Sequence, residues 1–471
     1  MSSLPALAAG AVIPLLWAGA AFAEEAAAAT PTPIDTGDTA WVIAASALVL
    51  MMTLPGLALF YGGLVRSKNV LNIFMQCFLT AGMVGVIWVL VGYSLAFADG
   101  SGSSASFIGD LSKIGLVSVT PDSTWANLAT PPRQIPELIF AMFQAMFAII
   151  TPALILGAVA ERMKFSAYVA FISIWLLLVY CPIAHMVWSA KGWIFSAGAI
   201  DFAGGLVVHM SSGFSALVLA LWLGKRRGFG KEPMAPHSLP LCLIGAGLLW
   251  TGWFGFNAGS ALSASGLAAL AFTNTNTATC MAVVTWALIE WLHRGKPTAL
   301  GGATAAVAGL VAITPACGNV SPLGSLLVGG GVSIVCYAAV TFLKPAFGYD
   351  DSLDTFGVHG VGGAWGALAS GLFATTLGTG IASNAAQVIV QLKGIVFVAI
   401  YAPVMTAVIL AGMRLVFGSM RVADEAEFEG LDLSEHSESA YTTGAGTLVT
   451  PASAAGSEGL TSGALAHSTL K

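Results

Sequence analysis

Charged residues are scarce in this chain: Asp, Glu, Lys and Arg make up 9% of its 471 residues, whereas 57% are hydrophobic. A soluble protein carries roughly 25% charged residues, so this chain cannot cover a water-facing surface. The composition therefore excludes a soluble globular protein and favours an integral membrane protein. The net charge of −5 over this length gives no reason to expect a nucleic-acid partner.

The sequence also lacks the motifs that most enzymes and cofactor-binding proteins carry. It has no Cys-x-x-Cys pair, and its six cysteines lie in or beside apolar stretches, which indicates small core residues. We find no glycine-rich nucleotide loop, no His/Cys cluster with metal-ligand spacing and no nucleophile beside a base. We therefore expect no enzymatic activity, no metal and no cofactor.

Long apolar stretches, by contrast, run through most of the sequence. Eleven of them are close to the roughly 20 residues that a transmembrane helix needs. They lie at residues 40–64, 70–97, 137–160, 165–187, 201–223, 238–258, 266–292, 298–316, 321–343, 353–376 and 388–418. The predicted fold class is an all-α integral membrane protein with eleven transmembrane helices.

The positive charges between these stretches predict the orientation. If the mature N-terminus lies outside, only four of the 18 Lys and Arg residues fall on the outer side, namely Lys113, Arg133, Lys191 and Lys393. Short cytoplasmic loops carry an excess of such residues. We therefore predict an N-out/C-in, multi-pass protein. With a cleaved signal peptide at its N-terminus, it would lie in the cytoplasmic (inner) membrane of a bacterial-type cell.

Both ends of the chain differ from its centre. Residues 1–23 resemble a signal peptide, because an apolar run ends in the small-x-small site Ala21-Phe22-Ala23. This segment lacks Lys and Arg, so an uncleaved first helix is the alternative. A periplasmic segment, 24–39, follows it. At the other end, 420–471 form a polar cytoplasmic tail, which beyond about residue 442 is rich in Gly, Ala, Ser and Thr and is expected to be disordered.

Two repeated motifs predict internal symmetry. Asp201 precedes His209 by eight positions, as Asp351 precedes His359, and the tetrapeptide Ile-Thr-Pro-Ala occurs in both the third and the eighth stretch. Both motifs join stretches that are five apart, and five crossings reverse the chain, which is the inverted repeat of many transporters. The predicted units are a first five-helix repeat at 40–224, a second at 237–376 and an eleventh helix at 388–419.

The two histidines lie at depths where an ionisable group is costly, so they are functional candidates. One histidine alone is as well explained by helix packing, with its ring bonded to a neighbouring carbonyl. Two at matching positions favour function, since His209 and His359 can face each other and share one proton. Histidine also gains and loses a proton near neutral pH.

Seven segments together resemble the ammonium transporters of the Amt/Mep/Rh superfamily, on the bacterial Amt side. The resemblance runs from about residue 36 to Tyr441. It rests on GDTAWVIAASALVLMMTLPGLALFYGGLVRSKNVLN, GAVAERMKFSAY, PIAHMVW, DFAGGLVVHMSSG, GWFGFNAGSA, ITPACG and DTFGVHGV. It implies a homotrimer of eleven-helix subunits, each with its own pore through the lipid bilayer.

The resemblance also implies roles for single residues. The implied outer ammonium-binding site consists of Phe147, Trp188 and Ser260, and the implied aromatic gate consists of Phe147 and Phe256. His209 and His359 are the implied pore histidines. Asp201 is the implied structural acid at the pore mouth, and it is most simply a helix cap and dipole partner.

The implied function is ammonium transport: NH4+ is recruited at the outer site and deprotonated, and NH3 passes the histidines with proton co-transfer. A passive NH3 channel and an ammonium sensor that acts through a bound cytoplasmic partner are the alternatives. The resemblance also implies a partner, a PII-type regulatory protein that closes the pore from the cytoplasmic face. We expect the acidic segment 425–441 to dock on that face beside the basic loops 225–231 and 294–296, since opposite charges favour contact.

Overall fold

The computed structural model describes residues 34–128 and 132–441 and is mainly helical. The predicted signal peptide, residues 1–23, and the predicted disordered end beyond about residue 442 lie outside the described residues. The first helix begins at Thr36, inside the predicted periplasmic segment 24–39. It begins there because the Asp35 side chain accepts a hydrogen bond from the Asp38 N–H at 2.8 Å, which caps the helix.

Helices occupy all eleven predicted stretches. They are α1 Thr36–Leu64, α2 Ser67–Phe97, α3 Glu137–Val159, α4 Phe165–Ser196 (interrupted at 189–192), α5 Gly205–Leu223, α6 Leu239–Gly259, α7 Gly266–Arg294, α8 Ala299–Ile313, α9 Pro322–Phe347, α10 Phe356–Gly360 continued by Val361–Phe373, and α11 Ala385–Phe417. Two short helices of the tail follow, α12 Asp424–Glu429 and α13 Leu431–His436. Strands β1 Thr124–Ala126 and β2 Gln134–Pro136 pair antiparallel between α2 and α3.

Nine helices in the described part of the chain are long and apolar enough to cross a membrane, and α8 and α10 are not among them. The predicted stretch 298–316 was too long, since α8 has 15 residues and ends at Ile313. The chain is thus a mostly helical, multi-pass membrane protein.

Helices α5 and α10, which carry the repeated Asp-x7-His motif, cross at glycines. A methyl carbon added at Gly213 would lie 2.2 Å from the Gly360 nitrogen, and one added at Gly363 would lie 3.0 Å from the Gly205 oxygen. No larger side chain fits at Gly213 without moving backbone. The glycines that follow the two histidines therefore allow the close helix contact that small residues provide in membranes.

The tail helices α12 and α13 lie against the starts of α2 and α4. The Asp432 carboxylate accepts a hydrogen bond from the Asn72 N–H at 2.8 Å, and the Glu435 carboxylate accepts one from the Phe165 N–H at 2.9 Å. Glu427 bonds the N–H of Arg227, in the first of the two predicted basic loops. The described part of segment 425–441 is therefore docked, mainly on helix N-termini.

The six cysteines are free, and five of them are buried. Cys280 is exposed, so the prediction of a core cysteine is wrong there. It lies on α7 four and seven residues after Asn276 and Thr273, which are also exposed. Residues with this spacing share one helix face, and this face of α7 points outward.

Candidate functional site

A cavity of about 300 Å³, which we call the first cavity, contains the three residues of the predicted ammonium-binding site. Phe147, Trp188 and Ser260 all line it. Its remaining wall is rich in aromatic side chains, and it includes Phe97, Trp125, Phe140, Phe143, Phe195 and Phe202. Such a wall offers many ring faces, to which cations are attracted.

The orientation of each binding residue follows from its local contacts. Trp188 ends the long part of α4, and its indole N–H donates to the Asp201 carbonyl at 2.8 Å. The Phe147 and Trp188 rings meet edge-on, with centroids 5.8 Å apart. The Ser260 hydroxyl donates to the Phe256 carbonyl at 2.8 Å, so its lone pairs are the groups left for a ligand. The site therefore presents ring faces and one hydroxyl acceptor.

The predicted gate residues separate the first cavity from the protein interior. The Phe147 and Phe256 rings lie 4.3 Å apart, tilted by 40°, and both side chains are buried. Phe147 lines the first cavity, whereas Phe256 lines a much smaller one behind it. The two rings must move before a molecule can pass directly between these cavities.

This smaller space, which we call the narrow cavity, measures about 10 Å³ and is lined by both predicted pore histidines. His209 and His359 face each other with their Nδ1 atoms 3.2 Å apart. A volume of this size holds about one water-sized molecule. The ring of Trp253 stacks on His209 at a centroid distance of 5.5 Å and restricts its rotation.

A hydrogen bond between two Nδ1 atoms requires one donor and one acceptor. When both rings are neutral, one ring therefore carries its hydrogen on Nδ1 and donates it to the Nδ1 of the other ring. If His209 donates, its own Nε2 is an acceptor and the Nε2 of His359 carries a hydrogen; the other tautomer reverses both roles. The Nε2 of His209 is buried without a protein hydrogen bond. The pair can therefore offer one donor and one acceptor to a small polar molecule.

The two aspartates of the repeated motif lie just before α5 and α10. The Asp201 carboxylate accepts hydrogen bonds from the N–H groups of Leu206 and Val207, each at 3.1 Å. Asp351 accepts one from the Phe356 N–H at 2.7 Å. Both satisfy N–H groups of the first helical turn, as a capping residue does. In each case the cap precedes the π-helical turn that carries a histidine.

A second cavity, of about 170 Å³, lies on the far side of the histidines from the first. It shares Phe60, Val307 and His359 with the narrow cavity. Its wall also contains the polar residues Thr304, Ser352 and Asp354, so this end is more polar than the narrow cavity. The three cavities form a line that passes Phe147, Phe256, His209 and His359 in that order.

Two aromatic residues of this line escaped sequence reasoning. Trp253 stacks on His209 and is held by its N–H bond to the Thr314 hydroxyl at 2.8 Å. Trp125, in β1, stacks flat on Phe140 with ring centroids 3.9 Å apart and forms a wall of the first cavity. Neither belongs to a repeated motif, although the position of Trp253 in the segment GWFGFN, three residues before Phe256, was a usable signal.

A buried charged cluster was also missed. The Arg226 guanidinium lies 3.1 Å from the Glu161 carboxylate and 2.9 Å from that of Asp350. Burial alone would raise the pKa of both carboxyls. The charge of Arg226, with the hydrogen bonds and charge of Arg66, holds the pKa of Glu161 below its ordinary value of 4.5. The hydrogen bonds and charge of Arg226, with the charge of Arg162, hold the pKa of Asp350 below its ordinary value of 3.8. Among the described residues, no group of three or more His, Cys, Asp or Glu side chains has a metal-binding arrangement.

Comparison with known proteins agrees with this architecture. A model of the Ammonium Transporter Family matches residues 40–441. The chain is 46% identical over 422 residues to an ammonium transporter of Aquifex aeolicus, covering 88% of this chain and 95% of the relative. It is 41% identical over 414 residues to the ammonium transporter Amt1 of Archaeoglobus fulgidus, covering 87% of this chain and 100% of that one.

Solved structures give the same result. The crystal structure of Candida albicans Mep2 matches with a TM-score of 0.74 and 37% identity, over 81% of this chain and 85% of that one. A structure described as a sensor Amt protein matches with a TM-score of 0.77 and 28% identity, over 85% of this chain and 98% of the other. The curated relatives are named as transporters, not as enzymes. On sequence and structure alike, this chain belongs to the ammonium transporter family.

Proposed function

We propose that the chain carries ammonium across a bacterial cytoplasmic membrane by binding NH4+ in the first cavity and passing NH3 along the line of cavities. The observation that carries this proposal is the order of groups along that line. An aromatic cation site is followed by a pair of closely packed rings and then by two hydrogen-bonded imidazoles in a space for one small molecule.

Recruitment relies on the rings of Phe147 and Trp188 together with the Ser260 hydroxyl. Cation–π contacts contribute about 0.5–2 kcal/mol, and they attract potassium as well as ammonium. The hydroxyl acceptor favours an N–H donor by about the 0.5–1.5 kcal/mol of one net hydrogen bond. This discrimination is small, so the main selection occurs after the first cavity.

The apolar passage provides that selection. A charge in the membrane interior costs about 3 kcal/mol or more, and this cost applies to every ion. Ammonium can release a proton and enter the narrow cavity as NH3, whereas potassium has no neutral form. There NH3 donates to one imidazole nitrogen and accepts from the other, which replaces hydrogen bonds lost from water.

The histidine pair also supports transfer of the released proton. Because one proton already lies between the two Nδ1 atoms, uptake of a proton at one outer nitrogen and release at the other reverses both tautomers without moving a ring. We therefore propose electrogenic transport, in which NH3 and a proton both cross. The alternatives are a passive NH3 channel and a sensor that signals through a partner.

Replacement of both His209 and His359 by Ala tests this mechanism. In proteoliposomes, we expect the double variant to lose the sustained current that follows an ammonium pulse and to lose ammonium-over-potassium selectivity, with the folded assembly retained in size-exclusion chromatography. Current and selectivity equal to the wild type would contradict the mechanism and would mean that both histidines serve only helix packing. Ammonium uptake by the wild type without charge movement would favour the passive channel, and no uptake at all would favour the sensor.

The assembly and orientation are part of the same proposal. We propose a homotrimer of eleven-helix subunits with the N-terminus outside and the C-terminus inside, which places the first cavity outside and the second in the cytoplasm. The docked tail then lies on the cytoplasmic face, beside the second cavity. A PII-type protein that covers this face would close the pore from the cytoplasmic side.

A further inference from the structure

Helix α11 lies outside the two repeats, yet one of its side chains reaches the segment that forms the first cavity. Gln391 is fully buried. Its amide oxygen accepts a hydrogen bond from the Ile200 N–H at 2.6 Å, and its amide nitrogen donates to the Ile200 carbonyl at 2.8 Å and to the Ala367 carbonyl at 2.9 Å. Both amide hydrogens and the oxygen are thus bonded to backbone.

These bonds hold a segment that has no regular secondary structure. Ile200 and Asp201 lie between the one-turn helix Trp193–Ser196 and α5, and both line the first cavity. With Gln391 bonded to both backbone groups of Ile200, this residue is paired as it would be in a β-ladder, which fixes its position. Gly371 of α10 leaves room for the glutamine, since a methyl carbon there would lie 2.9 Å from the Gln391 Cγ.

The fixed segment in turn orients the binding tryptophan. The Trp188 indole donates its only hydrogen to the carbonyl of Asp201, the residue next to Ile200. A shift of the Ile200 backbone therefore moves the acceptor that sets the angle of the Trp188 ring. The Asp201 carboxylate, which caps α5, moves with the same backbone.

We propose that Gln391 is a positioning residue for the ammonium-binding site, acting on substrate affinity through Ile200, Asp201 and the ring of Trp188. The inference rests on the proposed function, because it takes Trp188 as part of the binding site. It assigns α11 a role in substrate binding: the helix outside the repeats holds an irregular segment that lines the first cavity.

The test compares Gln391→Leu with Trp188→Leu, with the double variant and with a matched control, in uptake of isotope-labelled ammonium into proteoliposomes. The control is Thr406→Val, which removes a buried hydrogen bond between α11 and α5, from the Thr406 hydroxyl to that of Ser215 at 2.9 Å, away from the first cavity. Half-saturating concentration and maximal rate are measured separately, because a general loss of stability lowers the amount of active protein and leaves half-saturation unchanged.

We expect Gln391→Leu to raise the half-saturating concentration by about three- to tenfold, as for loss of a hydrogen bond that orients a binding group. Thr406→Val should leave it unchanged. On the Trp188→Leu background, Gln391→Leu should add little, since residues that act through one contact are not additive. If Gln391→Leu does not fold, Gln391→Met removes the same hydrogen bonds with an unbranched side chain of nearly the same length, and it should raise the half-saturating concentration by the same about three- to tenfold.

An unchanged half-saturating concentration in a folded Gln391 variant, with Trp188→Leu raising it, would overturn the positioning role alone. Unchanged half-saturation in Trp188→Leu itself would instead overturn the proposed binding site, and the positioning role with it. A further, additive rise in the double variant would show that Gln391 does not act through Trp188 and would also refute the proposal.

Discussion

The Gly213→Ala substitution tests how far the pore depends on the close crossing of α5 and α10. The added methyl carbon would lie 2.2 Å from the nitrogen and 2.5 Å from the Cα of Gly360. Both atoms belong to backbone, so no side-chain rotation relieves the contact. The two helices must separate by about 1 Å before the methyl group reaches an ordinary distance, and such overpacking costs about 1–3 kcal/mol.

This separation acts directly on the histidines. The Nδ1 atoms of His209 and His359 are 3.2 Å apart, which is already long for a hydrogen bond, and a further 1 Å or so breaks it. We expect Gly213→Ala to lower the unfolding temperature in detergent and to reduce ammonium uptake at least about tenfold, since a misplacement of 1 Å at a reacting site costs up to about 10²-fold.

Gly85→Ala is the control, because an added methyl carbon at Gly85 has nothing within 4 Å. Alanine forms helices better than glycine by about 1 kcal/mol, so this variant should be at least as stable as the wild type and should transport normally. Normal uptake and an unchanged unfolding temperature in Gly213→Ala would refute the reasoning. They would mean that α5 and α10 accommodate the methyl group without separating, despite the short backbone distances.

The charged cluster and the tail give further tests. Arg226→Met should lower the free energy of unfolding by about 3–5 kcal/mol at neutral pH, because it leaves Glu161 and Asp350 without their shared cation, and a thermal unfolding curve equal to the wild type would contradict this. The pKa of both carboxyls is depressed in the folded protein, so they stabilise the fold above pH 4.5 and 3.8, and this stabilisation is lost as pH falls below these values. The unfolding temperature, measured from pH 7 to pH 3, should therefore decline at the acid end in the wild type. It should decline less in Arg226→Met. Truncation after Tyr441 should preserve uptake, whereas truncation after Arg421 should lower uptake and thermal stability, because each lost helix cap costs about 1 kcal/mol; equal behaviour of the two truncations would exclude a role for the docked segment.

Sequence reasoning succeeded where the signal was periodic or repeated. The matched spacing of Asp201 with His209 and of Asp351 with His359 predicted two related helices whose histidines meet, and the Nδ1 distance of 3.2 Å agrees with that prediction. The spacing works as a signal because each aspartate caps the first turn of a helix, and the histidine follows in that same turn.

The contacts that the sequence could not supply are those between distant residues with no repeated pattern. Gln391 meets Ile200 across 191 positions, and Arg226 meets Asp350 across 124. A glutamine in an apolar stretch indicates only that its amide needs hydrogen-bond partners. Here the partners are backbone groups, which every residue type carries, so the sequence does not reveal which residue supplies them. The exposure of Cys280 could not be predicted either, because composition alone does not show which face of a membrane helix other helices cover.

The scarcity of charge explains why several of the carboxylates that remain lie at helix starts. In a membrane protein the first N–H groups of each helix lack intrahelical partners, and water reaches them poorly. For α5 and α10 the carboxylate comes from Asp201 and Asp351, a few residues earlier in the chain, so the cap forms with the helix itself. For α2 and α4 it comes from Asp432 and Glu435, 360 and 270 positions away in the tail. These two helix starts therefore receive their side-chain acceptors only when the tail docks, and any partner that pulls the tail away removes both of these hydrogen bonds.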